Sequence, residues 1–450
     1  VSDQTPSTSA RDTHDPRDPR DPRVLPRAYF TADIPGIGGR IKERPEDFLV
    51  EELPLYEPCG SGEHIYLLVQ KRNLSTFELV QILARHFNVP KHAVGYAGLK
   101  DKVAITQQVM SIHVPGRKVA DFPSIQHERL TVLWAEMHTN KLRPGHLKGN
   151  GFSIRMRGVS PTAVIHAKRV LERLAVTGVP NRIGEQRFGH LMNNHIIGRA
   201  LLMNDFQAAA DELLGPNALA RESEAEAREH YAHGDFQRAL EAMPGHRRTE
   251  RRVLAGLARG ANAKGAILGL DEATRKFYLT SLQSAAFNGV LDDRMSAGSF
   301  DRLTLGDLAF KHENRAVFAV DEGVLADPTT ATRLKQFEIS PSGPMWGAEM
   351  MRATGSVDDA ERTALSRVGI DVTALSEFDA RCRHMLEGQR RPLRVPISNP
   401  DVEGGVDEHG AYVRVAFELP RGSFATVVLR EIMKPALGEE PQEGESEERA

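Results

Sequence analysis

Phe152-Ser153-Ile154-Arg155-Met156-Arg157 alternates apolar and polar side chains residue by residue. That period of two predicts a strand with one buried and one open face, with Arg155 and Arg157 on the open one. Ser160-Pro161 follows at once, an N-cap and a first-turn proline that open a helix. Toward the N-terminus, His64 to Val69 reads as a buried strand. Ser75 and Glu78 form a capping-box pattern ahead of Phe77, Val80, Leu83 and Phe87 at helical spacing, and Pro90 stops that helix. A short strand around Val94 to Ala97 leads into Gly98-Leu99-Lys100-Asp101, and a further strand carries Met110, Ile112 and Val114 on one face. Toward the C-terminus, Asp205 to Pro244 is Ala/Glu-rich and helical, and another helix follows Asp271. Short β-like runs lie between Leu303 and Val320, and strand character returns at Arg391 to Val395. Tyr412 to Leu419 is a strand, followed by a tight turn and a helix with Ser423 as its N-cap. The expected fold class is α/β (α+β). The first strands and the last strand-helix unit share one sheet, and the middle of the chain is inserted between them.

The 450 residues suffice for two or three domains. No apolar run approaches the roughly 20 residues of a membrane span. The polar, Pro-rich start lacks the apolar stretch of a secretory signal. Cys59 and Cys382 have neither a disulfide framework's pattern nor metal-ligand spacing, which points to a reduced cytoplasm. None of the 17 histidines falls in a metal-binding motif, so no catalytic metal is expected. The net charge of −3 hides an asymmetry. From Lys141 to Ala200, eleven Lys and Arg face only Glu172 and Glu185, a net of +9, while Gly438 to Ala450 carries −5. The basic stretch fits a local polyanion-binding face or an ordinary solvated surface. Residues 1–28, with Asp-Pro-Arg three times in a row, and the acidic residues 437–450 read as disordered tails.

Asp101 lies in a polar loop between two strands, and loops on a rigid sheet commonly carry catalytic groups. Lys100 and Lys102 flank it, and nearby positive charge favours an ionised carboxylate. Taken alone, the pattern equally describes a turn aspartate between solvated lysines. Lys42 and Phe48 share an edge segment with Pro45; the lysine has the charge to pair with a carboxylate and the ring has a face for a base. Asn181 precedes Gly184-Glu185-Gln186-Arg187-Phe188-Gly189, which reads as a ribose- or phosphate-contacting loop or as a plain turn. Phe424 sits at the last turn, placed either to stack on a ligand or to join the core.

These segments, in order, resemble the TruD family of pseudouridine synthases. The motifs are Lys42-x-x-Pro45-x-Asp47-Phe48 with Val50-Glu51-Glu52, then Ala97-Gly98-Leu99-Lys100-Asp101-Lys102-x-Ala104-x-Thr106-x-Gln108, then Gly145-His146-Leu147-Lys148-Gly149-Asn150-x-Phe152-x-Ile154-x-x-Arg157. Pro180-Asn181-x-x-Gly184-x-Gln186-Arg187-Phe188-Gly189, Phe287-Asn288 and Leu419-Pro420-x-Gly422-Ser423-Phe424-Ala425-Thr426-x-x-x-Arg430-Glu431 complete the set, which spans nearly the whole ordered chain. The resemblance implies a catalytic domain on a mixed, largely antiparallel sheet, residues 29–206 and 399–436, interrupted by a TRUD domain at 207–398.

The resemblance also implies a cofactor-free, cytoplasmic enzyme that makes pseudouridine at uridine 13 of transfer RNA; the sequence leaves its oligomeric state open, with a monomer favoured. Asp101 would be the nucleophile, acting at the sugar C1′ or at the base, and Lys42 its ion-pair partner. Phe48, Asn181, Ile183, Gln186, Arg187 and Phe424 would contact the substrate. One departure stands out: where the family has Asn-Tyr-Phe-Gly, this chain has Asn181-Arg182-Ile183-Gly184, an aliphatic side chain for an aromatic one. The rival readings are a non-catalytic RNA-binding protein on the same scaffold, a synthase with a shifted target, and an acid hydrolase using Asp101 with Glu51 or Glu52.

Overall fold

The computed structural model describes residues 28–382 and 385–434, which leaves the two expected tails, save residue 28, outside the described residues. The chain begins with β1 (Phe48–Pro54), β2 (His64–Arg72), α1 (Thr76–His86), β3 (Val94–Tyr96), β4 (Ile105–His113), β5 (Leu130–His138), β6 (Leu147–Arg157), α2 (Val164–Thr177) and β7 (Val179–Pro180). Seven helices follow: α3 (Asn194–Leu202), α4 (Phe206–Leu214), α5 (Glu222–Ala232), α6 (Phe236–Ala242), α7 (Arg248–Ala258), α8 (Ala263–Leu268) and the long α9 (Glu272–Ser296). Next come β8 (Leu308–Lys311), β9 (Val317–Ala319), α10 (Glu322–Ala326), α11 (Pro328–Lys335), β10 (Ile339–Met345), α12 (Gly355–Arg367) and α13 (Val372–Arg381). The chain closes with β11 (Gln389–Pro392), β12 (Arg394–Val395), β13 (Ser398–Asp407), β14 (Gly410–Pro420) and α14 (Ala425–Met433).

The alternating stretch is the heart of β6, which pairs with β1 on one side and β14 on the other, so Ile154 lies opposite both Phe48 and Val415. The two ends of the chain thus form one sheet of order β13-β14-β6-β1-β4-β2-β5, with β3 added on β4. It is mixed and largely antiparallel, and β1 with β4 is the parallel pair. Helices α2 and α14 cover one part of it, burying Phe48, Ile154, Met156, Val170, Val415 and Val428. The Ser75 capping box forms, and α1 buries Leu79, Val80 and Leu83 against β2 and β4. Phe77, expected on that stripe, is exposed instead.

The expected open-face position of Arg157 is corrected. Its side chain is buried and donates to both carboxylate oxygens of Asp47 (2.7 and 2.6 Å) and of Asp407 (2.8 and 2.9 Å). These bonds hold Arg157 above its ordinary pKa. A guanidinium placed between two carboxylates is a staple, not an RNA contact. It fastens the segment before β1 to β6 and to the end of β13. Arg173 pairs with Asp33 at the surface and Arg182 with Asp292 in the interior, so part of the basic stretch is neutralised by the chain's own carboxylates.

The inserted region has its own core, built from α3 to α9 with α12 and α13, and Phe188 and α3 already belong to it. A four-stranded sheet, β11-β10-β8-β9, packs on α9. Strand β12 returns to pair with β7, placing Arg394 opposite Pro180, so the exit of the insertion is tied to the Asn181 segment.

Candidate active site

Asp101 is carried by the loop between β3 and β4. Strand β1 pairs with β4 as far as Gln107, and β3 takes over at Met110. In the gap, the amide of Val109 donates to the carboxylate of Glu52 at 3.2 Å, meeting the need of a buried main-chain donor for a partner. The other carboxylate oxygen of Glu52 receives the Lys100 ammonium at 2.8 Å, and Lys100 also donates to Asn150 Oδ1 at 2.8 Å. Lys100 therefore points into the protein and does not flank the Asp101 carboxylate as the sequence implied. Glu52 is a buried structural anchor, which removes it as the second acid of a hydrolase. The Lys100 amide donates to Thr76 Oγ1 at 3.1 Å, tying the loop to the start of α1.

The positive partner of Asp101 comes from elsewhere. Lys42 Nζ stands 3.9 Å from Asp101 Oδ2, with the lysine side chain 8% exposed and the aspartate 48%. Lys42 has φ of +58°, a left-handed backbone that is uncommon outside glycine and clusters at functional sites. Its ammonium also lies 4.8 Å from the centre of the Phe48 ring. Phe48 itself is 2% exposed and sits in the sheet core. The expectation that it stacks on a base is corrected: one side of the ring is covered by Lys42 and the remainder by the core. Phe48 is the platform under Lys42.

Asn181 is buried, its amide donating to Pro392 O at 2.8 Å while its oxygen accepts from Arg391. Arg391, on β11, also donates to the carbonyls of Asn181 and of Gly422, both at 3.2 Å. Burial and the charges of Arg315 and Arg187 push it down to about 10. A side chain of the insertion thus joins the Asn181 segment to the turn that presents Phe424. Ile183 is 6% exposed, among Phe287, Phe300, Met345 and Leu393, and its main chain exchanges two hydrogen bonds of 2.9 Å with the Asn288 side chain. The expectation that Ile183 covers a base is corrected, because its side chain fills a core between sheet and insertion. That also gives Phe287-Asn288 its purpose.

Gln186 is exposed, and Arg187 is half-buried over the Phe277 ring, its pKa lowered by burial. Phe424 is 42% exposed. It, and not Ser423, is the N-cap residue of α14, because Ser423 closes the turn through Pro420 O and Gly422 takes φ of +80°. Contacts bring the three motif loops together. Gly145 N donates to Ala97 O at 2.7 Å, at the root of the Asp101 loop. Arg421 donates its side chain to Gly145 O and its amide to Lys148 O at 3.2 Å. Gly184 approaches Thr426, so the Asn181, Asp101 and Phe424 segments meet around one rim.

Two features escaped the sequence reading. Lys71, at the end of β2, is fully buried and donates to Leu74 O at 2.5 Å and to Asp101 O at 2.9 Å. Leu99 and Phe77 are exposed apolar side chains beside the Asp101 loop. A lysine in Gln70-Lys71-Arg72 has no sequence signal that separates it from a solvated strand end. Among the described residues there is no group of three His, Cys, Asp or Glu side chains placed to hold a metal ion, and no helix is long and apolar enough to cross a membrane.

The family model described as tRNA pseudouridine synthase D (TruD) matches residues 25–432. A tRNA pseudouridine synthase D of Geobacter metallireducens is 43% identical over 411 residues, covering 91% of this chain and 98% of the relative. Its counterpart in Thermus thermophilus is 37% identical over 410 residues, covering 90% and 92%. The crystal structure of a Methanosarcina mazei protein assigned as tRNA pseudouridine synthase D superposes with a TM-score of 0.78 at 27% identity, covering 91% of this chain and 96% of that one. With a model matched from end to end of the described fold and relatives at this identity, the chain belongs to the TruD family of pseudouridine synthases.

Proposed function

We propose that this chain isomerises uridine 13, in the D-arm region of transfer RNA, to pseudouridine, with Asp101 as nucleophile. The observation that carries the reading is the open ion pair of Lys42 and Asp101, a carboxylate half exposed at the rim where three motif loops meet. The names of the relatives support the transfer-RNA substrate.

The reaction breaks the N1–C1′ bond, turns the base and forms a C5–C1′ bond. The C5 hydrogen leaves to solvent and N1 gains a proton, so no group is added and no redox change occurs. No cofactor is required in this scheme, which is that of a cytoplasmic enzyme. A uridine stacked in folded RNA is out of reach, so it is flipped out at a cost of about a few kcal/mol. Phe424 offsets part of that by stacking, worth roughly 1–3 kcal/mol per base. Lys42 orients the Asp101 carboxylate. Gln186 and Arg187 contact the RNA from the insertion side, the positive charge of Arg187 suiting a phosphate, while Asn181, expected to touch the substrate, is buried between Pro392 and Arg391 and holds that segment in place.

The test is position-resolved mapping of pseudouridine in an unmodified transfer-RNA transcript, beside one in which uridine 13 is replaced by cytidine. Pseudouridine at position 13 alone, and none in the replaced transcript, is the expected result. Modification elsewhere moves the target. None anywhere, with binding intact, favours the non-catalytic reading.

A further inference from the structure

We propose that Lys71 is a positioning residue for the reaction, its buried ammonium fixing the main chain of Asp101 and placing a positive charge behind the catalytic carboxylate. The inference rests on the reading of Asp101 as nucleophile.

Lys71 lies in the interior of the catalytic sheet, with Thr106 of β4 and Leu130 of β5 as its neighbours in register. Its side chain is inaccessible to solvent, and its ammonium donates to Leu74 O and Asp101 O. No carboxylate lies within ion-pair distance of it among the described residues. An ammonium taken out of water without a direct counter-ion is expensive, and a methionine of similar length would fill the space more cheaply. What the lysine adds is a link between β2, paired on both sides in the catalytic sheet, and the main-chain carbonyl of Asp101. The tethers at Thr76, Glu52 and Asn150 act on Lys100, those from Gly145 and Asn73 on Ala97 and Ala104, and Lys42 meets the Asp101 carboxylate; the Asp101 carbonyl is held by Lys71.

The charged groups around it are few. Asp101 and Lys100 face it from the loop and Glu78 from α1, and Arg129, ahead of β5, turns to Asn73 O. Burial pushes the Lys71 ammonium down to about 8, against the opposing pull of Asp101. The proton is therefore held at neutral pH and lost in mildly alkaline solution, which takes away the charge behind Asp101.

The test compares wild type, Lys71→Met, Lys71→Arg and Asp101→Asn by tritium release from C5-labelled transfer RNA, with circular dichroism for the fold. We expect Lys71→Met to fold and to bind RNA with unchanged KM, with kcat lowered tenfold or more and partly restored in Lys71→Arg. A kcat within twofold of wild type in folded Lys71→Met overturns the proposal. If Lys71→Met does not fold, Lys71→Gln decides: kcat lowered tenfold or more at unchanged KM supports the proposal, and kcat within twofold of wild type overturns it. Activity in Asp101→Asn would instead overturn the nucleophile assignment, whatever Lys71 does.

Discussion

Lys42 reaches Asp101 from the far side of the motif that contains Phe48, its ammonium 3.9 Å from the carboxylate and 4.8 Å from the ring. An ion pair this open adds roughly 0–1 kcal/mol to stability. Its geometry serves the chemistry. Lys42→Met is therefore expected to lower kcat about 100-fold, in the range seen when one preorganised charge or donor is removed from an active site. Its melting temperature should stay within a few degrees of wild type. Steady-state tritium release and thermal unfolding measure the two, and a kcat within twofold of wild type would remove Lys42 from the mechanism.

Arg157 and Arg187, close in sequence, have different tasks. Arg157→Met breaks a buried pair with Asp47 and should lower stability by about 3 kcal/mol, leaving the salt dependence of RNA affinity as it was. Arg187→Ala should leave the fold standing and reduce the slope of log affinity against log salt by about one. Denaturant titration and filter binding at several salt concentrations separate them. A changed slope in Arg157→Met would restore it as a phosphate contact.

Phe424, Phe48 and Ile183 divide in the same way. Phe424→Ala is expected to weaken RNA binding by about 1–3 kcal/mol with little change in melting temperature, because the ring is exposed. Phe48→Ala and Ile183→Ala empty core positions and should each lower stability by about 2–5 kcal/mol. Equal RNA affinity in wild type and Phe424→Ala would end its stacking role.

His312, on the inserted sheet side, gives a pH signature. Its burial, reinforced by Arg394, depresses it to about 4 from the usual 6.5, and Nε2 lies 2.9 Å from Ser340 Oγ. The unfolded chain binds the proton more tightly, so stability is full above pH 6.5 and declines as pH falls toward 4. The loss from this group is about 3 kcal/mol. Denaturant titration from pH 4 to 7 should show the decline in wild type and a shallower one in His312→Gln; parallel curves would mean His312 does not titrate this way.

Local patterns were legible in the sequence. The alternation at Ile154, the capping box at Ser75 and the helix after Asp271 each depend on neighbours within a few residues, and each forms. The joining of the two chain ends in one sheet followed from the strand signals at both ends. What could not be read depends on partners far along the chain. Arg157 looked solvent-facing because Asp47 and Asp407, 110 and 250 residues away, are invisible to periodicity. Ile183 looked like a substrate contact because its neighbours on α9 lie more than a hundred residues on. Lys100 was placed beside Asp101 by adjacency, whereas its side chain follows Glu52 and Asn150 inward, and Lys42 and Lys71 take the two positions around the aspartate.

The most direct test of the central claim is tritium release from a C5-labelled transfer-RNA transcript by wild type and by Asp101→Asn, with RNA binding measured in parallel. Release by wild type and none by a folded, RNA-binding Asp101→Asn is the predicted result. Release at a comparable rate by Asp101→Asn would contradict Asp101 as the nucleophile, and with it the site described around Lys42 and Lys71.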